Sequence, residues 1–182
     1  MERYRITPDA SVYYITWSVV EWLPVFVSEQ TCRVITDSFQ YCCNHKGLRV
    51  NAFVIMPTHL HAIVFDQSFR AAPLEETLKD CRKFTGKALA NLVDQSFTKC
   101  FGQVLRDASG VDRERRFWQP SRHPVAVFDE RFYLQKLNYL HENPVRKGLV
   151  FRGRDWRFSS AAWFDSGKQA SSEVSLTPIA WT

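Results

Sequence analysis

No apolar run in the sequence approaches the roughly 20 residues that a helix needs to span a bilayer. The opening Met1-Glu2-Arg3-Tyr4-Arg5 has no hydrophobic core of the kind that marks a secretory signal. Both absences argue against a membrane or exported protein and set the expectation of a cytoplasmic one. There is no Cys-x-x-Cys, and the five cysteines form an odd set with Cys42 and Cys43 adjacent. That pattern fits neither a disulfide framework nor a zinc knuckle, so the thiols are expected to be reduced and mostly buried. Acidic residues are the minority charge, 19 against 24 Lys plus Arg, for a formal net charge of +5. The excess tilts the expected partner toward an anion such as nucleic acid. With 182 residues, 45% of them hydrophobic, the chain can bury one core. We expect one domain over residues 1–164 and a flexible C-terminal tail over 165–182, whose last apolar stretch, 176–181, docks back on the domain.

Residues 12–20 are dense in Val, Ile, Thr, Tyr and Trp and read as a first strand. From 28 to 46, Val34, Ile35, Phe39, Cys42 and Cys43 recur at helical spacing, with Ser28 as N-cap and Gly47 as stop. Two β-prone runs follow, 51–56 and 60–65, broken at Pro57-Thr58, which predicts an antiparallel hairpin. Strand, helix, strand, strand points to an α+β fold, an antiparallel sheet with helices on one face. Leu74, Leu78, Cys81, Thr85, Ala88 and Leu92 give one face of a second helix over 73–94. Its other side carries Lys79, Lys83 and Lys87 with Arg82 beside them, either a solvated face or a phosphate track. Residues 96–110 show weak periodicity and read as a connecting loop. Arg113, Arg115, Arg116 and Arg122 surround Phe117-Trp118-Gln119 ahead of a short strand within 123–128. Arginines interleaved with aromatics suit phosphates and unstacked bases; the plain alternative is a charged loop whose Phe and Trp enter the core.

His59-Leu60-His61 opens the second strand of the hairpin. Strand residues two apart share a face, so the imidazoles stand side by side and can hold one divalent ion if a third ligand arrives. A third helix over 130–143 is ended by Pro144. Tyr139 and Asn143 fall on one face of it, with Gln135 and Lys136 a turn earlier, while Leu137 and Leu140 point into the core. An amide oxygen suits Mg²⁺ or Mn²⁺, and a phenol is a competent nucleophile toward phosphorus. Solvated histidines and a structural tyrosine account for the same residues equally well on composition alone.

Met56-Pro57-Thr58-His59-Leu60-His61, followed by Tyr139-Leu140-His141-Glu142-Asn143-Pro144-Val145-Arg146-Lys147-Gly148-Leu149-Val150, resembles the signature of the HUH single-tyrosine transposases, specifically the REP-associated branch. The resemblance runs from about Tyr13 to Trp163 and includes Phe117-Trp118-Gln119 and Asp155-Trp156-Arg157-Phe158-Ser159-Ser160. It implies a ferredoxin-like or RRM-like sheet and a metal-dependent single-stranded DNA endonuclease/transposase working through a 5′-phosphotyrosine at hairpin-associated sites. In that reading His59, His61 and Asn143 hold Mg²⁺ or Mn²⁺, Tyr139 is the nucleophile, and Lys136 is a positive neighbour that helps the phenol ionise. Lys79, Arg82, Lys83, Lys87, Arg115, Arg116 and Arg122 would contact the DNA. Tyr133 lies on the apolar side of the helix, and Tyr4, Tyr13, Tyr14 and Tyr41 have no polar partner at suitable spacing. The implied partner is single-stranded or hairpin DNA, with no membrane, in a cytoplasmic, nucleoid-associated monomer or homodimer. The alternative is a cleavage-inactive protein that binds hairpin DNA as a regulator or architectural factor. A plasmid-type replication initiator or relaxase is disfavoured by motif order and chain length.

Overall fold

In a computed structural model that describes residues 6–109, 114–120 and 124–181, the first β-prone run becomes β1 (Val12–Ser18). Ser28 then caps α1 (Glu29–His45), its hydroxyl oxygen accepting from the Thr31 N–H at 3.3 Å. The helix ends two residues before Gly47, whose φ of +70° is the left-handed conformation that glycine adopts without a Cβ clash. The hairpin forms from β2 (Leu48–Met56) and β3 (His59–Asp66) with Pro57 and Thr58 as its turn. After α2 (Ala71–Ser96) and α3 (Lys99–Asp107) come the short β4 (Val125–Ala126), α4 (Glu130–His141), α5 (Asn143–Arg146) and α6 (Ala161–Asp165). The expected loop at 96–110 is thus partly helical. Phe101, Val104 and Leu105 of α3 pack against the core, with Phe97 ahead of the helix joining them, a short period that the intervening polar residues obscure.

The sheet is antiparallel with strand order β2-β3-β1-β4, the ferredoxin-like order. Alternation divides its side chains. Tyr13, Ile15 and Trp17 of β1 and Leu60, Ala62 and Val64 of β3 face α1 and α2, where they join Ile35, Phe39, Leu74, Leu78 and Leu89 in one core. Val12, Tyr14, Ile63 and Phe65 face the other way and meet Tyr133 and Leu140 of α4. Helices therefore lie on both faces, against the expectation of one. The reason is that α4 has its own apolar edge; burying a side chain such as Leu140 is worth about 1.5–3 kcal/mol, and the second face of the sheet is where it can be spent. That placement brings α4 onto the face from which His59 and His61 project.

A β-bulge keeps the hairpin in phase with this division. The pairing shifts between Val50 and Ala52, so Asn51 is the extra residue and Ala52, Val54 and Met56 turn to the α4 face. Asn51 is fully buried; its Oδ1 accepts from the Tyr133 hydroxyl at 3.0 Å, and its Nδ2 donates to the Thr177 carbonyl at 3.0 Å. One side chain thus ties β2 to α4 and to the C-terminal segment. Asn51→Leu should lower stability by about 1–3 kcal/mol, since it strands a buried hydroxyl and a carbonyl. A urea midpoint equal to that of the parent would refute the tie.

The outer edge of β2 does not face solvent. Ile55 N–H donates to the Phe158 carbonyl at 2.8 Å, Ser160 N–H to the Phe53 carbonyl at 2.9 Å, and Thr177 N–H to the Val50 carbonyl at 2.8 Å. Covering a sheet edge in this way removes a template for unwanted strand pairing. Val174 is buried in the first core, while Ile179 and Trp181 pack on the second. No helix among the described residues is long and apolar enough to cross a membrane.

Candidate active site

His59 and His61 stand next to each other at the start of β3, ring centroids 4.8 Å apart. Each ring is held by one hydroxyl. Thr58 Oγ1 lies 2.9 Å from His59 Nδ1, and Thr16 Oγ1, on the paired strand β1, lies 2.8 Å from His61 Nδ1. Among the described residues neither Nε2 has a hydrogen-bond partner. Burial pushes His59 down to about 4, with Lys147 adding to the effect. Burial pushes His61 down to about 3, helped by His59, Arg146 and Lys136. Both imidazoles are therefore neutral at physiological pH.

That is the form in which histidine binds metal, and with Nδ1 protonated and donating to the threonine oxygen, Nε2 is left free to take a metal. Among the described residues no third His, Cys, Asp or Glu completes a metal-ligating group, so a third ligand must be of another type. Asn143 is the ligand of another type that the sequence offers. It is 3% exposed, and its side-chain amide has no hydrogen-bond partner among the described residues. The donor set of two neutral imidazoles and an amide oxygen fits a divalent ion of the Mg²⁺ or Mn²⁺ kind.

Asn143 does not continue the helix of Tyr139 as expected. Helix α4 ends at His141 and α5 begins at Asn143, with Glu142 between them at φ −82°, ψ −5°. Pro144 has no N–H to bond back to Leu140, which accounts for the break. Because Glu142 stays in the right-handed region, the chain direction is nearly kept.

Tyr139 is 43% exposed, and its ring lies 5.8 Å from that of His61, nearly perpendicular to it. The Arg146 guanidinium sits 3.9 Å from the centre of the Tyr139 ring and donates to the Tyr139 carbonyl at 3.1 Å. Lys136 is placed differently from its expected role. Its ammonium lies over the rings of Tyr14 and Phe132, at 5.1 and 5.0 Å, and the cation on Tyr139 is Arg146. Arg146 lies within the motif, but nothing in its spacing marks it as the partner of Tyr139.

Nor does spacing reveal the place of Tyr14. It stacks on His61 at 5.2 Å and meets Tyr139 edge-on at 6.5 Å. Its phenol is raised beyond the ordinary range, by burial first and then by Tyr139, so it is a wall of the site and not a rival nucleophile. Strand alternation on β1 puts Tyr14 and Thr16 on one face, but only the β1–β3 pairing shows that this is the histidine face. Tyr133 is buried with its hydroxyl bonded to Asn51, on the apolar side as expected. Tyr4 lies outside the described residues.

The two expected DNA-contacting groups meet around one cleft. Lys79, Arg82, Lys83 and Lys87 of α2 line it together with Arg115 and Arg116, in a volume of about 510 Å³. Arg115 is engaged by Asp94 and by Asn91 Oδ1 at 2.8 Å, and Arg82 donates to the Gln119 carbonyl. Phe117 and Trp118 enter the core, Trp118 Nε1 donating to Thr85 Oγ1 at 3.2 Å, so these rings are not available to bases. Arg122, with Arg113, lies outside the described residues.

A third imidazole, the half-buried His141, bonds Ser160 Oγ at 2.8 Å and is also pushed down by loss of solvent, to about 4. An unfolded histidine protonates near pH 6.5, whereas these three stay neutral until about pH 3 to 4. Between those limits the unfolded chain binds protons that the native one does not. Stability is therefore complete above about pH 6.5 and falls as the pH drops. Urea midpoints should be lower at pH 5 than at pH 7, and equal midpoints would contradict the burial of these rings.

The fold and the site define an α+β protein that presents two neutral imidazoles, a phenol and the Arg146 guanidinium stacked on it on the α4 face of an antiparallel sheet. In sequence the chain is similar to REP-associated tyrosine transposases. One from Haemophilus influenzae is 24% identical over 154 residues, covering 75% of this chain and 76% of that protein. Another, from Escherichia coli, is 23% identical over 115 residues, covering 63% of this chain but only 55% of that protein. The solved structure of a REP-associated tyrosine transposase bound to a REP hairpin shares the fold, with a TM-score of 0.65 over 99% of this chain and 92% of that one at 16% identity. No family model matches the chain.

Proposed function

We propose that this protein is a single-stranded DNA endonuclease/transposase that cleaves and rejoins DNA through a 5′-phosphotyrosine on Tyr139. The observation that carries the reading is the juxtaposition of an exposed tyrosine with a pair of neutral, hydroxyl-oriented imidazoles, on a chain related to tyrosine transposases. The partner is single-stranded or hairpin DNA, and the basic cleft along α2 supplies phosphate contacts outside the site.

In the reaction Tyr139 Oη attacks the phosphorus of a bound strand. The Oη–P bond forms, the P–O3′ bond breaks, and the proton of the phenol is balanced by the 3′ hydroxyl released. His59, His61 and Asn143 would hold a divalent ion, which when bound draws charge from a phosphate oxygen. Thr16 and Thr58 orient the imidazoles, their hydroxyl oxygens accepting from Nδ1–H in the tautomer that this requires. Arg146, stacked on Tyr139 and bonded to its carbonyl, restrains the ring and brings positive charge to the incoming phosphate. Lys136 and Lys147, both close enough to depress the histidines, add to that field. Tyr14 walls off one side and keeps water from His61. Reversal with a second 3′ end regenerates the tyrosine and joins the strands.

Incubation with Mn²⁺ and single-stranded oligonucleotides carrying a hairpin and flank should give a denaturant-resistant protein–DNA adduct. Retained binding with no adduct on any substrate would favour the cleavage-inactive hairpin binder instead.

A further inference from the structure

Between β1 and α1 the chain makes a tight 3₁₀ turn, Val20–Trp22, in which two successive non-glycine residues are left-handed, Glu21 at φ 50° and Trp22 at φ 53°. That conformation is disfavoured for any residue with a Cβ and persists only where the surroundings enforce it. Here they do. Val19 N–H donates to the Thr58 carbonyl at 3.0 Å, Val20 N–H to the Phe117 carbonyl at 2.9 Å, and Phe26 N–H to the Pro57 carbonyl at 3.0 Å. The turn is thus hung from the hairpin bend that carries His59 on one side and from the lining of the basic cleft on the other.

The bracing does not bury the tryptophan. Trp22 is 56% exposed, although Val20 and Val25 around it are buried, and its ring meets His59 edge-on with centroids 5.9 Å apart. The backbone is strained and braced while the indole stays largely exposed beside a candidate metal-binding imidazole, so burial of the ring does not account for the strain. Phe117 and Trp118, the aromatics that flank the arginines, are in the core, so Trp22 is the exposed ring between the cleft and the histidines.

We infer that Trp22 is a stacking platform for a nucleobase adjacent to the phosphate held at His59 and His61. The inference rests on the single-stranded DNA reading above and adds to it a base-binding residue. A strand laid from the basic cleft to the histidine pair passes this turn. An indole face accepts any base, which makes the contact sequence-tolerant, and an exposed phosphodiester backbone gains a fixed register from it.

The test measures binding of a fluorescein-labelled (dT)₁₂ strand and of an otherwise identical abasic strand, with Mn²⁺ present, in a Tyr139→Phe background that cannot form the adduct. The parent should prefer (dT)₁₂. Trp22→Ala and Trp22→Leu should each weaken (dT)₁₂ binding roughly tenfold, Trp22→Phe should keep most of the affinity, and none should alter binding of the abasic strand. Thermal melts matching that of the parent establish that the variants are folded. The slope of affinity against salt should be unchanged, because no phosphate contact is lost. Equal (dT)₁₂ affinity in Trp22→Ala and parent, or a parent indifferent to the missing bases, overturns the platform while leaving strand binding standing. A parent that binds neither strand overturns the platform, and if it also fails to bind the oligonucleotide carrying a hairpin and flank, the DNA reading falls with it.

Discussion

Tyr139→Phe should reduce the denaturant-resistant adduct by at least about 10³-fold while leaving DNA affinity within a factor of two or so, because it removes one hydroxyl from an exposed ring and nothing else. The ring contacts with Arg146 and His61 do not need that oxygen, so the site should keep its shape. In the parent the adduct should carry the downstream fragment through its 5′ phosphate. Tyr133→Phe and Tyr14→Phe serve as controls that should retain the adduct, the first at some cost in stability through Asn51. Paired duplex should react poorly, since a stacked phosphodiester must first melt locally to enter a site between a strand and a helix end. An adduct that survives in Tyr139→Phe, or cleavage by water with no covalent species, would instead make the protein a metal-dependent nuclease with another active residue.

The second large effect concerns the metal. His59→Ala, His61→Ala and Asn143→Ala should each weaken Mn²⁺ binding by roughly 100-fold or more and abolish nicking, and Thr16→Val should do so by about 10- to 100-fold through the orientation of His61 alone. Because burial holds both imidazoles neutral down to about pH 4 and 3, binding should persist at pH 5.5, where an ordinary histidine pair would be largely protonated. Calorimetry on the double histidine variant gives the decision. Unchanged Mn²⁺ affinity there would remove the metal site, and loss of affinity in the parent at pH 5.5 would contradict the burial argument.

The elements legible in the sequence were those with a local cause. Ser28 and Gly47 bound α1 because a hydroxyl cap and a left-handed stop are chemical properties of single residues. Pro57-Thr58 made the hairpin turn, and strand alternation alone put His59 and His61 on one face. Pro144 ended the tyrosine helix for the same kind of reason, the missing N–H. Helix α3 was missed because its apolar positions are few and its stability comes from packing on the first core.

The site divides along the same line. The sequence by itself determined the histidine pair, the phenol and the amide, since spacing and motif are properties of the chain. Tertiary structure alone decided their surroundings: Thr16 and Tyr14 reach His61 because β1 pairs with β3, Arg146 folds back onto Tyr139, and Trp22 is hung beside His59 by bonds to the hairpin bend. So too with the cleft, where α2 and the 114–118 segment contribute cations far apart in the chain. The physical reason is that periodicity records which way a side chain leaves its own backbone, whereas its neighbours, its burial and hence its protonation state depend on which other segment packs there.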